Sequence, residues 1–135
     1  MPTDHTIAPS PTEILGAYVT DLVTYTHHEN KHWWRDPATN KSLLDDPLIV
    51  PTKLMLIVTE LAETLEGHRR GLMDEKLPHR PAFEVELADA FIRLLDLAGA
   101  TGIDLGGAYM EKMRYNAIRE DHTVAHRLSN GGKKY

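Results

Sequence analysis

Apolar residues recur at three- and four-residue intervals through four stretches of the chain, the repeat of amphipathic α-helices. Ser10-Pro11-Thr12-Glu13 forms a capping box with proline at the first helical position, which predicts a helix running to about Asn30. Ile14, Ala17, Tyr18, Leu22 and Tyr25 fall near one face of it. A second helix is predicted from about Thr52 to Arg70, stopped by Gly71, and a third from about Ala82 to Ala98, ended by Gly99 and Gly102. Asp104 is placed to cap a fourth that continues to about Glu120. Nowhere does the pattern alternate with the period of two that a half-buried strand needs.

The segments between are polar and rich in proline. From His32 to Pro51 come two tryptophans, three aspartates and Pro37, Pro47 and Pro51, read as an ordered connection or lid. The stretch from Gly71 to Pro81 is a polar loop. Met1 to Pro9 reads as a loose tail, and the residues from Asp121 on as a flexible tail or a ligand-closing flap. Four helices with short links predict an all-α, four-helix-bundle-like single domain over 1–135.

The second helix is unusual in where its apolar residues lie. Leu54, Ile57, Val58, Leu61 and Leu65 make one stripe, yet Met55 and Leu56 fall outside it. The first half of this helix is apolar nearly all round and needs cover on several sides, which predicts a homodimer or homotetramer packed through this region.

Composition then narrows the chemistry. The chain has 135 residues, 26% of them charged, with a formal net charge of -5. That balance argues against nucleic-acid binding through a broad basic surface but leaves room for a small anion in a local basic pocket. The absence of cysteine excludes disulfides and thiolate metal sites. The polar start carries no signal-peptide pattern, and no apolar run is long enough to cross a bilayer, so a cytoplasmic protein without a membrane partner is expected.

Two acidic pairs stand out. Glu60 and Glu63 lie on the second helix, Glu86 and Asp89 on the third, each at i, i+3 and so about 60° apart on one face. Glu60 and Glu63 bracket the angle of Leu56, on the shoulder of the apolar stripe. Glu86 and Asp89 share a narrow polar strip with Arg93 and Asp96. Antiparallel helices bring such strips face to face, and four converging carboxylates repel one another. Protonation relieves that, or divalent cations do; hard oxygen ligands suit Mg²⁺, with Mn²⁺ as the alternative. On the fourth helix Lys112, Asn116 and Arg119 line up at i, i+4, i+7, a point charge, an amide and a fork suited to phosphate oxygens.

Taken together these residues resemble the all-alpha NTP pyrophosphatases of the MazG-like type. Their hallmark E-x-x-E, spacer, E-x-x-D reads here as Glu60, Glu63, Glu86 and Asp89, and K-x-x-x-N-x-x-R as Lys112, Asn116 and Arg119. The likeness runs from Leu54 to Arg119, about half of the chain. It implies magnesium held by Glu60, Glu63, Glu86 and Asp89, triphosphate contacts from Lys112 and Arg119, cleavage of a (deoxy)nucleoside triphosphate between the α and β phosphates, and dimers or tetramers. Glu63 and Glu60 are then the catalytic carboxylates, Glu63 taking a proton from water. Relatives often carry R-P, then H-G-G-K-K-aromatic near the C-terminus; here Arg119 precedes Glu120, and the tail is Asn130-Gly131-Gly132-Lys133-Lys134-Tyr135. Lys133 is a further candidate for phosphate.

Trp33 and Trp34 are candidates to stack on a nucleobase, with Asn30 and Lys31 beside them. His28-Glu29-Asn30-Lys31-His32 fits the H-E-x-x-H zinc signature. It falls where the first helix should be ending, with no third ligand indicated, so a zinc peptidase is disfavoured. The remaining alternative is a non-catalytic helical module that oligomerises and binds nucleotide without turnover.

Overall fold

In a computed structural model, which describes residues 9–129, the chain is all-helical. The elements are α1 (Pro11–Asn30), a 3-10 turn (Lys31–Trp34), α2 (Ile49–Arg70), α3 (Ala82–Thr101), α4 (Leu105–Ile118), a 3-10 turn (Glu120–His122) and α5 (Val124–Leu128). No helix among the described residues is long and apolar enough to cross a membrane.

α1 begins as the sequence dictates. Ser10 N donates to Glu13 Oε2 at 2.7 Å, and Glu13 N donates back to Ser10 Oγ at 3.3 Å, the two arms of the capping box. α2 starts three residues before its predicted first residue. Pro51 sits inside the first turn, where a missing N–H costs nothing because those N–H groups have no intrahelical partner. α3 runs on through Gly99 to Thr101 and ends at Gly102, in the left-handed region at φ 70°. Gly99 therefore serves contact rather than termination: a Cβ there would stand 2.8 Å from His27 Cγ. The segment expected to be tail or flap from Asp121 forms, through Ser129, a 3-10 turn and the short α5, with the Thr123 hydroxyl accepting from His126 N.

The chain divides into two compact units. One comprises 22–103: the second half of α1, the Trp33–Trp34 turn, α2 and α3. The polar loop 71–81 joins α2 and α3 as an antiparallel hairpin. Ala82 N donates to Leu72 O at 2.9 Å and Asp74 N to Arg80 O at 3.0 Å, while Asp74 Oδ1 accepts from the backbone N–H of Lys76 and Leu77. The helices meet closely where Gly67 faces Ala82. Leu95, Ala90 and Ala98 of α3 and Trp34 of the turn are buried.

The other unit contains the first half of α1 together with 104–129. Asp104 caps α4 by accepting from Gly107 N at 2.8 Å, as its position predicts. Gly16 and Gly106 let α1 and α4 come within backbone contact. Arg114 Nη2 reaches the Ser10 hydroxyl at 3.2 Å.

The apolar stripe of α2 remains largely uncovered. Leu54, Val58, Leu61 and Leu65 of the stripe are exposed, with Met55 beside it, as are Phe83, Leu87, Phe91 and Leu94 on α3. Ile57, Leu61, Phe83, Leu87, Phe91 and Leu94 line a groove of about 610 Å³ between the two helices.

Candidate functional site

The register of the α2–α3 hairpin follows from two stripes. On α2, Lys53, Leu56, Glu60, Glu63 and Gly67 share one face; on α3, Glu86, Asp89, Arg93 and Asp96 share another. Running antiparallel, they set Gly67 beside the start of α3, the glutamates in the middle, and Lys53 near Asp96.

At the centre, carboxylate oxygens of Glu60, Glu63 and Glu86 lie within 4.8 Å of one another. Glu60 is buried (8% exposed), Glu86 half-buried and Glu63 exposed at the mouth. Asp89, exposed, stands one turn further along α3 beside this trio. Arg93 Nε donates to Glu60 Oε1 at 2.6 Å. One cation therefore meets a group of acids it cannot balance alone.

The electrostatics carry the mark of crowding. Burial, then repulsion from Glu63, Glu60 and Asp89, raises the Glu86 carboxyl above its ordinary value of 4.5. Burial and Glu60 likewise raise Asp89 above 3.8, with Arg93 and Lys76 pulling the other way. Three carboxylates from two adjacent helices, one deeply held and one open to the mouth, suit a hard divalent cation. The chemistry of the donors fits Mg²⁺ or Mn²⁺ and not a soft metal.

A raised carboxyl contributes stability that is fully present below its unfolded value and lost as pH rises through the folded one. The metal-free protein therefore weakens as pH climbs from 4 through the raised values of Glu86 and Asp89. Millimolar Mg²⁺ should lift Tm clearly at pH 7–8 and leave it unchanged near pH 4, which thermal melts across that range will show.

Two cavities adjoin at Asp89 and Arg93, which line both. The larger, about 950 Å³, holds the acid trio and is edged by Arg70 and Lys76 as well as Arg93. The smaller, about 420 Å³, is lined by Asn30, Trp33, Lys53, Leu56, Ile92 and Asp96 in addition to the shared pair. Of the two tryptophans only Trp33 is open (62% exposed). Trp34 is buried at 4% and turns its Nε1–H to Asp96 Oδ2 at 2.8 Å, so its faces are closed to a ligand. Lys53 Nζ lies 4.8 Å over the Trp34 ring and donates to Trp33 O at 3.2 Å; burial lowers its pKa, against the pull of Asp96. Asn30 Nδ2 donates to Thr26 O at 2.9 Å, which turns Oδ1 away from that carbonyl.

The basic stripe of α4 belongs to the other unit. Lys112 Nζ sits 4.9 Å from the Tyr115 ring centre, with Arg119 on the same ring at 5.6 Å. Arg119 falls just past the helix end and engages Asp121 with both Nε and Nη2, and Asn116 Oδ1 accepts from its Nη1 at 3.5 Å. The fork holds the Asp121 carboxyl down at about 2. A phosphate approaching the Nε–Nη2 edge of Arg119 thus competes with Asp121, a partner the i, i+4, i+7 spacing does not suggest. Lys133 lies outside the described residues.

The H-E-x-x-H match dissolves in the structure. α1 ends at Asn30, so His28 is helical, whereas His32 belongs to the 3-10 turn and packs on Trp33 at 4.7 Å between ring centres. The five residues lack the single helical register that two zinc-binding histidines require.

Arg93, Lys53 and Asp96 were not singled out as site residues from sequence. The signal was present: Lys53 precedes Glu60 by seven positions, and Arg93 follows Asp89 by four, which places both on the acid stripes. No known family, curated protein or solved structure matches the chain.

Proposed function

We propose that the chain is a magnesium-dependent nucleoside triphosphate pyrophosphohydrolase, releasing a (deoxy)nucleoside monophosphate and pyrophosphate. The observation that carries this reading is the convergence of Glu60, Glu63 and Glu86 beside a cavity walled by an exposed indole. An acid cluster accepts a cation; an adjoining aromatic wall accepts a ring; a nucleotide carries both needs in one molecule.

Glu60, Glu63 and Glu86, with Asp89 at the rim, would hold the ion. When bound, the cation neutralises phosphate charge and makes a nearby water more acidic. The chain's own groups do the rest. Glu63, open at the mouth, takes the proton as water oxygen bonds to the α-phosphorus. The bond from that phosphorus to the bridging oxygen breaks, and pyrophosphate leaves with its electron pair. Arg93 stands between the two cavities, where the α-phosphate of a bridging nucleotide would pass, and Arg70 and Lys76 edge the phosphate side. Lys112, Asn116 and Arg119, in the other unit, are phosphate candidates by the motif resemblance alone. The ring lies on Trp33. Removal of surplus or unwanted nucleotides is the corresponding cellular role.

Pyrophosphate release from a panel of dNTPs with Mg²⁺, against the same panel with Glu63→Gln, tests this. Release by the native chain and not by the variant supports it. Binding without turnover points instead to a nucleotide-binding module.

The same reading includes self-association. The groove between Ile57, Leu61, Phe83, Leu87, Phe91 and Leu94 is self-complementary in kind, and a twofold pairing would cover it with the equivalent face of a second copy. Light scattering on a sizing column should give a dimer or tetramer, and Phe91→Glu should shift it to monomer. A native chain that is monomeric at micromolar concentration would contradict this.

A further inference from the structure

Asp96 is a buried carboxylate that takes no part in the acid trio. It is 8% exposed, and both of its oxygens are used: Oδ1 is 2.8 Å from His27 Nδ1, and Oδ2 accepts from Trp34 Nε1 at 2.8 Å. A carboxylate is costly to bury, so its retention there calls for partners and a purpose. The partners form a chain. Asp96 fixes the plane of the Trp34 indole through its N–H. The face of that indole carries the Lys53 ammonium, and Lys53 in turn donates to the backbone carbonyl of Trp33. Leu43 N donates to Trp34 O at 2.9 Å, pinning the turn from its other side. At the end of this chain stands the one open aromatic ring of the 420 Å³ cavity.

We propose that Asp96 is a positioning residue: acting through Trp34 and Lys53, it holds the 3-10 turn Lys31–Trp34 against α3 so that the Trp33 ring forms a fixed wall for the base of a bound nucleotide. This rests on the nucleotide reading above. A four-residue turn of 3-10 geometry is a weak local structure, and nothing in its own hydrogen bonding fixes the direction of an exposed indole. The anchored neighbour fixes the turn, and His32, packed on the Trp33 ring at 4.7 Å between centres, steadies the indole from within it. Fixing the wall before the ligand arrives removes an ordering cost from binding, so the benefit appears in affinity for the ring and not in the chemical step.

The test separates ring from phosphate. Binding of the α,β-imido analogues of dATP and dTTP, and of inorganic tripolyphosphate, is measured with Mg²⁺ by calorimetry on the full chain. Asp96→Ala should weaken both nucleotide analogues by about tenfold and leave tripolyphosphate, which has no ring, unchanged. Asp96→Asn, which keeps an acceptor for Trp34 Nε1, should recover most of the loss. In turnover, Asp96→Ala should raise KM with kcat little altered. Should Asp96→Ala not fold, Trp34→Phe, which keeps a ring for Lys53 but lacks the N–H donor, should show the same split between nucleotide and tripolyphosphate. Equal losses for all three ligands, or no loss for any, would overturn the positioning role while leaving the nucleotide reading in place. If the native chain binds tripolyphosphate but neither analogue, the nucleotide reading itself falls and the positioning role falls with it.

Discussion

Glu63→Gln should lower the rate of pyrophosphate release by about two to three orders of magnitude, in line with the loss of a general base that also holds the ion. The same change should raise, not lower, the melting temperature of the metal-free protein at pH 8. Glu63 is exposed and is one of the charges that lift Glu86 above its ordinary value, so neutralising it relieves repulsion without opening a cavity. The gain in Tm on adding Mg²⁺ should shrink in parallel. A residue that merely decorated a solvated helix would change none of the three. Loss of activity together with a large loss of metal-free stability would point to a structural role. Glu60→Gln should behave differently, because Glu60 is buried and paired with Arg93 at 2.6 Å. It should lose activity and also about 1 kcal/mol of stability, the usual order for a charge-assisted bond that is partly open to water.

The second large effect concerns stability. Gly99→Ala should destabilise the unit 22–103 by about 2–3 kcal/mol and lower Tm by roughly 5–10 °C. The added Cβ would meet His27 Cβ well inside contact distance and Cγ at 2.8 Å, and a helix backbone on each side leaves little room to yield. His27 is also a partner of Asp96, so the strain would pass into the buried network beneath Trp34. At an exposed helical position the same change stabilises slightly, since alanine favours helix over glycine. The sign of the shift in a chemical or thermal melt thus reports whether α1 and α3 touch at this point.

The helices were legible because each carries its own boundary chemistry. Ser10 and Glu13, Asp104, Gly71 and Gly102 all act where their types predict. The misplaced boundaries have local causes. Pro51 looks like a block to a helix, but it is harmless in a first turn. Gly99 looks like a stop and is a contact, which only the neighbouring helix reveals. The stretch from Asp121 reads as tail by polarity; its short helix depends on the Thr123 cap and on the Arg119–Asp121 pair.

Spacing set four carboxylates together, and of these Glu60, Glu63 and Glu86 converge while Asp89 stands beside them, because i, i+3 pairs on antiparallel helices share a face. What spacing could not give was the division of labour among the residues around it. Trp33 and Trp34 are adjacent and chemically identical, yet one is buried under Lys53 and the other faces the cavity. Trp34 finds the acceptor for its N–H in Asp96, far along the chain, where no local spacing points. Arg93 likewise reads as one member of a polar strip until its Nε is seen on Glu60. On α4, the spacing of Lys112, Asn116 and Arg119 is visible, whereas the competing carboxylate of Asp121 lies beyond the helix end, where no periodicity reaches.

A cation among the acids of α2 and α3 is what every proposed step at the site requires. Anomalous diffraction from crystals grown with Mn²⁺ locates the ion directly. The prediction is a peak bounded by the carboxylates of Glu60, Glu63 and Glu86, absent in crystals of Glu63→Gln grown alike. Manganese bound elsewhere with that pocket vacant, or none bound at millimolar concentration, would contradict it.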